Sequence, residues 1–516
     1  MRKSLPIFYS ALLLTAVNLL LRFVSTSFQV HISSRIGAEG VGLLQLVLSV
    51  GALAITAGMA GIRTATMYLT ADALGRKQQE NISRILRFCL LYSILFSGGV
   101  SLCLYGFAPW IAHRWIGNPN TLDAIRLYCC FLPIICLTGC MTGYYTAENR
   151  ISTLALIEIG EQLFYMTVTM LILNLWSHQD PERACKAVIL GSGISAAFTL
   201  LMLVLFKNRS YGKAKGQPQI IKKLLSTALP LAAADNIKAG ISTAENLMVP
   251  KRLALFVGEI SPLATFGVVT GMVFPVLMFP AAILFALAEL LIPELAKCAA
   301  AENRARIRYL VTKGLRVSAI YGCICGGILY LIAEPLCDGL YRNPDAGKFL
   351  KLYSLLTPML YCDAITDAMT KGLGQQTYCV KYNIITSAMD VALLYILLPT
   401  LGMKGYFFSF LVTHLLNFML SIRRLFKITG LRLPFYLPAS LISITVISAF
   451  AATGFSSVIT RIASFLLMLG ALLAILGIVR KRDIAWLKGI VYRKTRQANA
   501  RRVTGHNAFN TSKTNA

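Results

Sequence analysis

Acidic side chains are what this chain has least of. Only 22 Asp and Glu stand against 50 Lys and Arg in 516 residues, and all charged residues together make up 14%. Long polar stretches are missing too, and 56% of the residues are hydrophobic, more than a soluble two-domain protein carries. The five histidines, His31, His113, His178, His414 and His506, are scattered. With no Gly-rich phosphate loop and no soluble domain to hold a Ser/His/Asp set, they give no enzyme constellation. Cys323 and Cys325 lack zinc-knuckle spacing and a nearby histidine, and most of the thirteen cysteines lie in apolar runs, where Cys acts as a small hydrophobe. The sequence therefore predicts no catalytic residue, no metal, no cofactor and no disulfide framework. The formal charge of +28 would suggest nucleic acid in a soluble protein, but here the basic residues fall between apolar runs, so no nucleic-acid partner is expected.

What is present is a series of apolar runs of about 20 residues, the length that crosses a bilayer. They predict an all-α polytopic membrane protein with about fourteen spans. The runs lie near 5–30, 41–69, 85–110, 122–146, 153–175, 185–206, 224–248, 263–290, 308–333, 350–371, 378–399, 403–423, 434–453 and 457–479. With the N-terminus in the cytoplasm, most Lys and Arg fall on the inner side, including Arg76, Lys77, Lys222, Lys223, Arg304, Arg306, Arg423 and Arg424. An even number of spans with both ends inside preserves that bias. The first run is too long for a signal-peptide core and is read as retained.

An internal repeat constrains the architecture further. Leu69 to Arg87 aligns with Leu291 to Tyr309, and nearly the same offset pairs Pro6 with Pro230 and Pro133 with Pro358. The expected domains are an N-lobe of six spans (1–206), a basic cytoplasmic linker (207–223), a C-lobe of six spans (224–427), two further spans (428–480) and a basic cytoplasmic tail (481–516). The start of that tail reads as a short helix on anionic inner-leaflet lipid.

Charges inside apolar runs are the candidate functional positions, because hydrocarbon tolerates them only against a partner or a wet cavity. A central Arg costs roughly 2.5–3.5 kcal/mol, against a gain of roughly 6–12 kcal/mol for a full apolar span, so the runs bearing Arg22 and Arg63 can still insert. Neither has an acid within helical reach. Their partner is either an anionic ligand or a carboxylate across the cavity, Glu245 or Glu289. Asp235, Lys238 and Glu245 lie close to one face of the seventh run, as a local Asp235–Lys238 pair or as cavity groups. Asp363 and Asp367 sit at i and i+4 in the tenth run, with Asp390 in the next; they either couple an ion or pack helices. Glu158 and Glu161 open the fifth run, where a helix N-terminus favours acids.

The run Arg22 to Leu43, with Arg35-Ile36-Gly37-Ala38-Glu39-Gly40-Val41-Gly42 joining the first two spans, resembles the first-helix signature of the stage V sporulation protein B-like branch of the MOP flippase superfamily. Gly143-Tyr144-Tyr145, Glu161-Gln162 and Pro230 are similar to that branch as well. The resemblance implies two pseudo-symmetric six-helix lobes about a central cavity, plus two C-terminal helices. It also implies a polyprenyl-pyrophosphate-linked saccharide as substrate, moved across the cytoplasmic membrane of a bacterium. Arg22 carries over as a cavity cation. Gln29 stands where similar proteins have a second basic residue, Gly61-Ile62-Arg63 where they read Gly-hydrophobic-Pro, and Tyr68 where they have Lys. The expected substrate-binding cations are Arg22, Arg63 and Lys238, with Gly58, Gly61, Pro275 and Pro280 supplying bends. The runner-up is a cation-coupled multidrug exporter of the same fold, and a third reading is a non-transporting cell-wall assembly scaffold. Oligomeric state is left open by the sequence.

Overall fold

The computed structural model describes residues 7–75, 81–148, 150–176, 181–207, 220–258, 261–431 and 436–477. Most of the expected linker and the whole tail from 481 on lie outside them. The chain divides into two units, 1–431 and 432–516. The first opens with α1 (Ile7–Met59), followed by α2 (Ile62–Gly75), α3 (Ile82–Trp110), α4 (Leu122–Ala147), α5 (Ile151–Leu175) and α6 (Pro181–Leu205). It continues with α7 (Ile220–Leu253), α8 (Pro262–Gly267), α9 (Phe274–Met278), α10 (Ala282–Ala300) and α11 (Arg304–Tyr341). It closes with α12 (Pro344–Ser354), α13 (Thr357–Gly372), α14 (Gln376–Leu401) and α15 (Met403–Thr429). The second unit holds α16 (Tyr436–Ala452) and α17 (Val458–Ile475), which pack on each other. No strand occurs among the described residues.

Nine helical stretches among the described residues are long and apolar enough to cross a membrane, or ten if the bent pair Pro262–Met278 and Ala282–Ala300 is one span. The count of about fourteen is not reached by that measure, for identifiable reasons. Leu19–Leu74 registers once although it has 56 residues. At 1.5 Å per residue it would stretch about 84 Å, well over twice the hydrocarbon thickness. The seventh run carries Asp235, Lys238 and Glu245, the tenth is broken into α12 and α13, and α16 is short. Leu102, Leu156, Leu163 and Leu175 point out of the bundle, as lipid contact permits and water does not.

Gly37 breaks α1. The segment Arg35 to Gly42, expected as a short loop, is helical on both sides of this one residue, whose φ of 72° and ψ of 174° suit glycine alone. A second break follows at Ala60 and Gly61, both at positive φ. Gly58, expected at a bend, stays helical and packs against Cys136 and Ser97. The repeat segments occupy matching joins, from α2 into α3 and from α10 into α11. Pro133 and Pro358 differ: α4 runs through Pro133, whereas Pro358 lies in the first turn of α13 after a break.

The stretch α8–α10 is interrupted by a π-helical turn (Val268–Val273) and bent by 62° before α10. Pro275 cannot donate to the Gly271 carbonyl four residues back, and Pro280 likewise interrupts the ladder. The carbonyls along the break accept side-chain donors instead: Ser33 Oγ reaches Gly271 O (3.3 Å), Tyr341 OH reaches Met272 O (3.1 Å), Tyr361 OH reaches Leu277 O (2.8 Å), and Tyr321 OH reaches Pro280 O (2.8 Å). Irregular backbone at membrane depth is tolerable when its polar groups are bonded inside the protein, as these are.

Helices α1–α6 pack among themselves, as do α7–α15, and α1 touches both sets. It meets α8 almost backbone to backbone. A Cβ on Gly42 would strike the Leu263 carbonyl, and one on Gly267 would strike the Ala38 carbonyl and the Gly42 backbone. A glycine on each partner, Gly42 and Gly267, allows this approach, as small residues do in membrane helix pairs generally.

Candidate functional site

Helix α1 carries Arg22 into a cavity of about 410 Å³ shared with α10 and lined by Leu19, Ser25, Ala282, Phe285 and Glu289 among others. The Arg22 guanidinium lies over the Phe285 ring, 4.4 Å from its centroid. Ring stacking contributes roughly 0.5–2 kcal/mol and orients the planar group, leaving its N–H edges free for an anion. Glu289 shares the cavity, yet among the described residues no carboxylate comes within ion-pairing distance of Arg22. An exposed, oriented, unpaired arginine can take a phosphate bidentately.

The other expected cations are placed differently. Arg63 on α2 is exposed, is not among the residues lining the Arg22 cavity, and lies near enough to Glu158 of α5 for their charges to interact. Lys238 and Asp235 are exposed on α7, and among the described residues no ion pair joins them. Glu245 does not share their surroundings. Its carboxyl lies near enough to Asp390 on α14 for the two groups to interact. Asp390 is buried and accepts from Ser409 Oγ (2.6 Å) and Thr413 Oγ1 (3.2 Å) of α15. Two carboxyl groups in contact share a proton or hold a cation between them.

Asp363 and Asp367, one turn apart, do not share a partner. Asp363 Oδ2 accepts from Asn417 Nδ2 of α15 (3.0 Å), while Asp367 is ion-paired with Lys371 (2.6 Å). In the joining segment Arg35 donates to Asn174 Oδ1 (2.9 Å), Glu39 is exposed, and Gly40 packs near Pro181. The motif tyrosines act in packing: Tyr145 OH reaches the Leu203 carbonyl (2.9 Å) and Tyr144 OH reaches Glu148 (2.6 Å). Gly143 sits against the Arg63 carbonyl. The sequence reading missed Asn417, Ser409, Thr413 and the Ser49 contacts of Thr243 (3.0 Å) and Asn246 (3.0 Å) that tie α7 to α1. Hydroxyl and amide residues are too common in membrane helices to be singled out without their partners.

Residues 14–176 match the MatE family model. The chain is 24% identical to stage V sporulation protein B of Bacillus subtilis (strain 168) over 410 residues, covering 76% of this chain and 78% of the relative. Among solved structures, it is similar to the lipid II flippase MurJ in an inward closed conformation, with TM-score 0.67 and 12% identity, over 92% of this chain and 100% of that one. It is also similar to an inward-facing multidrug resistance MATE family transporter of the MOP superfamily, with TM-score 0.64 and 15% identity, over 82% and 100% of the two chains. The chain is a multi-pass helical membrane protein whose residues 14–176 resemble the MatE family and whose fold is similar to that of these transporter structures.

Proposed function

We propose that the chain is an alternating-access flippase that exports a polyprenyl-pyrophosphate-linked saccharide, a peptidoglycan or polysaccharide precursor, in cell-wall or spore-cortex synthesis. The observation that carries this reading is Arg22, stacked on Phe285 in the α1–α10 cavity with no ion-pair partner among the described residues. A pyrophosphate fits such a group, and the prenyl chain stays in lipid. The lobes 1–206 and 224–427 rock about the cavity, joined by the linker 207–223 on the cytoplasmic side. Residues 428–480 and the tail 481–516 follow, with both termini in the cytoplasm of a bacterium and the basic face against anionic lipids. With the inside negative, each negative charge carried outward gains about 2.3 kcal/mol per 100 mV, so the potential favours export. The likeness to a structure named as a lipid II flippase and to a sporulation protein supports the substrate class.

The contact of Glu245 with Asp390 supports a second reading, a cation-coupled multidrug exporter of the same fold. One experiment separates the two. Purified protein in vesicles is assayed for flipping of a fluorescent polyprenyl-pyrophosphate saccharide and for efflux of a cationic dye. The flippase reading expects flipping that falls at least about tenfold in Arg22→Ala, the loss of one charge-assisted hydrogen bond of roughly 1.5–3 kcal/mol. Dye efflux without flipping, or flipping unchanged in Arg22→Ala, overturns it.

A further inference from the structure

Between α13 and α15 lies a polar contact that the transport reading does not use. Asp363 Oδ2 accepts from Asn417 Nδ2 at 3.0 Å. The other oxygen of each group, Asp363 Oδ1 and Asn417 Oδ1, is buried and among the described residues has no hydrogen-bond partner. Both atoms are acceptors, so neither can satisfy the other if Asp363 is a carboxylate. A buried acceptor left without a donor costs about 1–3 kcal/mol, and here there are two in one contact. A single proton on Asp363 Oδ1 removes both deficits, because a carboxylic acid and a carboxamide pair through one N–H···O and one O–H···O bond.

We propose that Asp363 and Asn417 form a proton-binding site, with Asp363 held as the neutral acid donating from Oδ1 to Asn417 Oδ1. The charges acting on Asp363 are those of Asp367 and Lys371, both on α13. These two are paired with each other at 2.6 Å, and among the described residues neither hydrogen-bonds Asp363 Oδ1. From α15 the nearest titratable group in sequence is His414, whose Nδ1 is engaged with the Phe410 carbonyl at 3.0 Å and whose ring stacks on Phe410. From α11, Ser318 Oγ is directed to Leu315 O and to Cys362, the neighbour of Asp363. The site is separate from the Glu245–Asp390 contact but shares a helix face with it. Ser409, Thr413 and Asn417 recur every four residues on α15, the first two bonded to Asp390 and the third to Asp363. On loss of the proton to solvent, Oδ1 becomes a carboxylate oxygen facing another acceptor, and the α13–α15 contact must separate or admit a cation.

Infrared difference spectroscopy of the purified full chain, with the carboxyl carbons of aspartate isotopically labelled, tests this. At neutral pH the wild type is expected to show the carbonyl band of a protonated Asp that shifts in heavy water. The band is lost in Asp363→Asn, which keeps the shape and neutrality of the acid, and is retained in Asp390→Asn. In Asn417→Leu it moves to higher frequency, because the acid loses its acceptor; this second variant decides the matter if Asp363→Asn does not fold. Absence of the band in the wild type, its survival in Asp363→Asn, or an unchanged frequency in Asn417→Leu overturns the proposal.

Discussion

Two arginines of the first six helices and two aspartates of the next nine are held in opposite ways. In the first set the arginines at membrane depth, Arg22 and Arg63, are exposed, and Arg22 rests on an aromatic ring rather than on an acid. In the second set Asp390 is buried under the hydroxyls of Ser409 and Thr413, and Asp363 is held by the amide of Asn417. A cation on a cavity wall is available to a ligand. A carboxyl group enclosed by neutral donors is available only to a proton or a small cation, and it contributes to how the helices pack. The contrast separates a cation open to a cavity, on α1, from carboxyl groups bonded inside the packing of α13–α15.

Breaking the enclosed side should have the largest effect. Asp390→Ala removes the acceptor of Ser409 Oγ (2.6 Å), while Thr413 Oγ1 keeps the Ser409 carbonyl (2.8 Å), and is expected to destabilise the folded protein by about 2–3 kcal/mol, the upper part of the cost of one buried group left unsatisfied. A thermal unfolding curve in detergent reads this, and an unchanged midpoint would show that the acid is dispensable for packing. Next in size is the crossing of α1 and α8. Gly267→Val places a side chain against the Ala38 carbonyl and the Gly42 backbone, an overpacking cost of about 1–3 kcal/mol. Labelling of a cysteine introduced at Leu263 should become faster as the two helices are forced apart, and an unaltered rate would contradict the close crossing.

A milder change tests the broken span. Tyr341→Phe removes the donor to the Met272 carbonyl and should lower stability by about 0.5–1.5 kcal/mol with little effect on substrate flipping. The smallest effect is expected at Arg63. Because it faces Glu158 and not the Arg22 cavity, Arg63→Ala should reduce flipping by less than about threefold, about 0.6 kcal/mol. A loss as large as that of Arg22→Ala would instead place both arginines on the substrate.

Much of the fold was legible because its determinants are local. Apolar length marks the helices, Gly37 marks the joint in α1, and Pro275 and Pro280 mark the broken span before any partner is known. Even so, the joint between the first two spans is a single residue and not a loop. One glycine at φ 72° redirects the chain without interrupting the helix on either side, and composition alone does not reveal how few residues a turn needs.

The sequence by itself determined a helical membrane protein and singled out Arg22 and Arg63, because the cost of a lone cation in an apolar run depends only on the run that contains it. It grouped Glu245 with Asp235 and Lys238, and Asp390 with Asp363 and Asp367, since helical periodicity relates residues on one helix and its neighbour in sequence. Tertiary structure alone decided the actual partners: Glu245 with Asp390 from α7 to α14, Asp363 with Asn417 from α13 to α15, and Arg22 with Phe285 from α1 to α10. Each of these contacts is set by how two helices cross, and a crossing depends on the packing of every side chain along it.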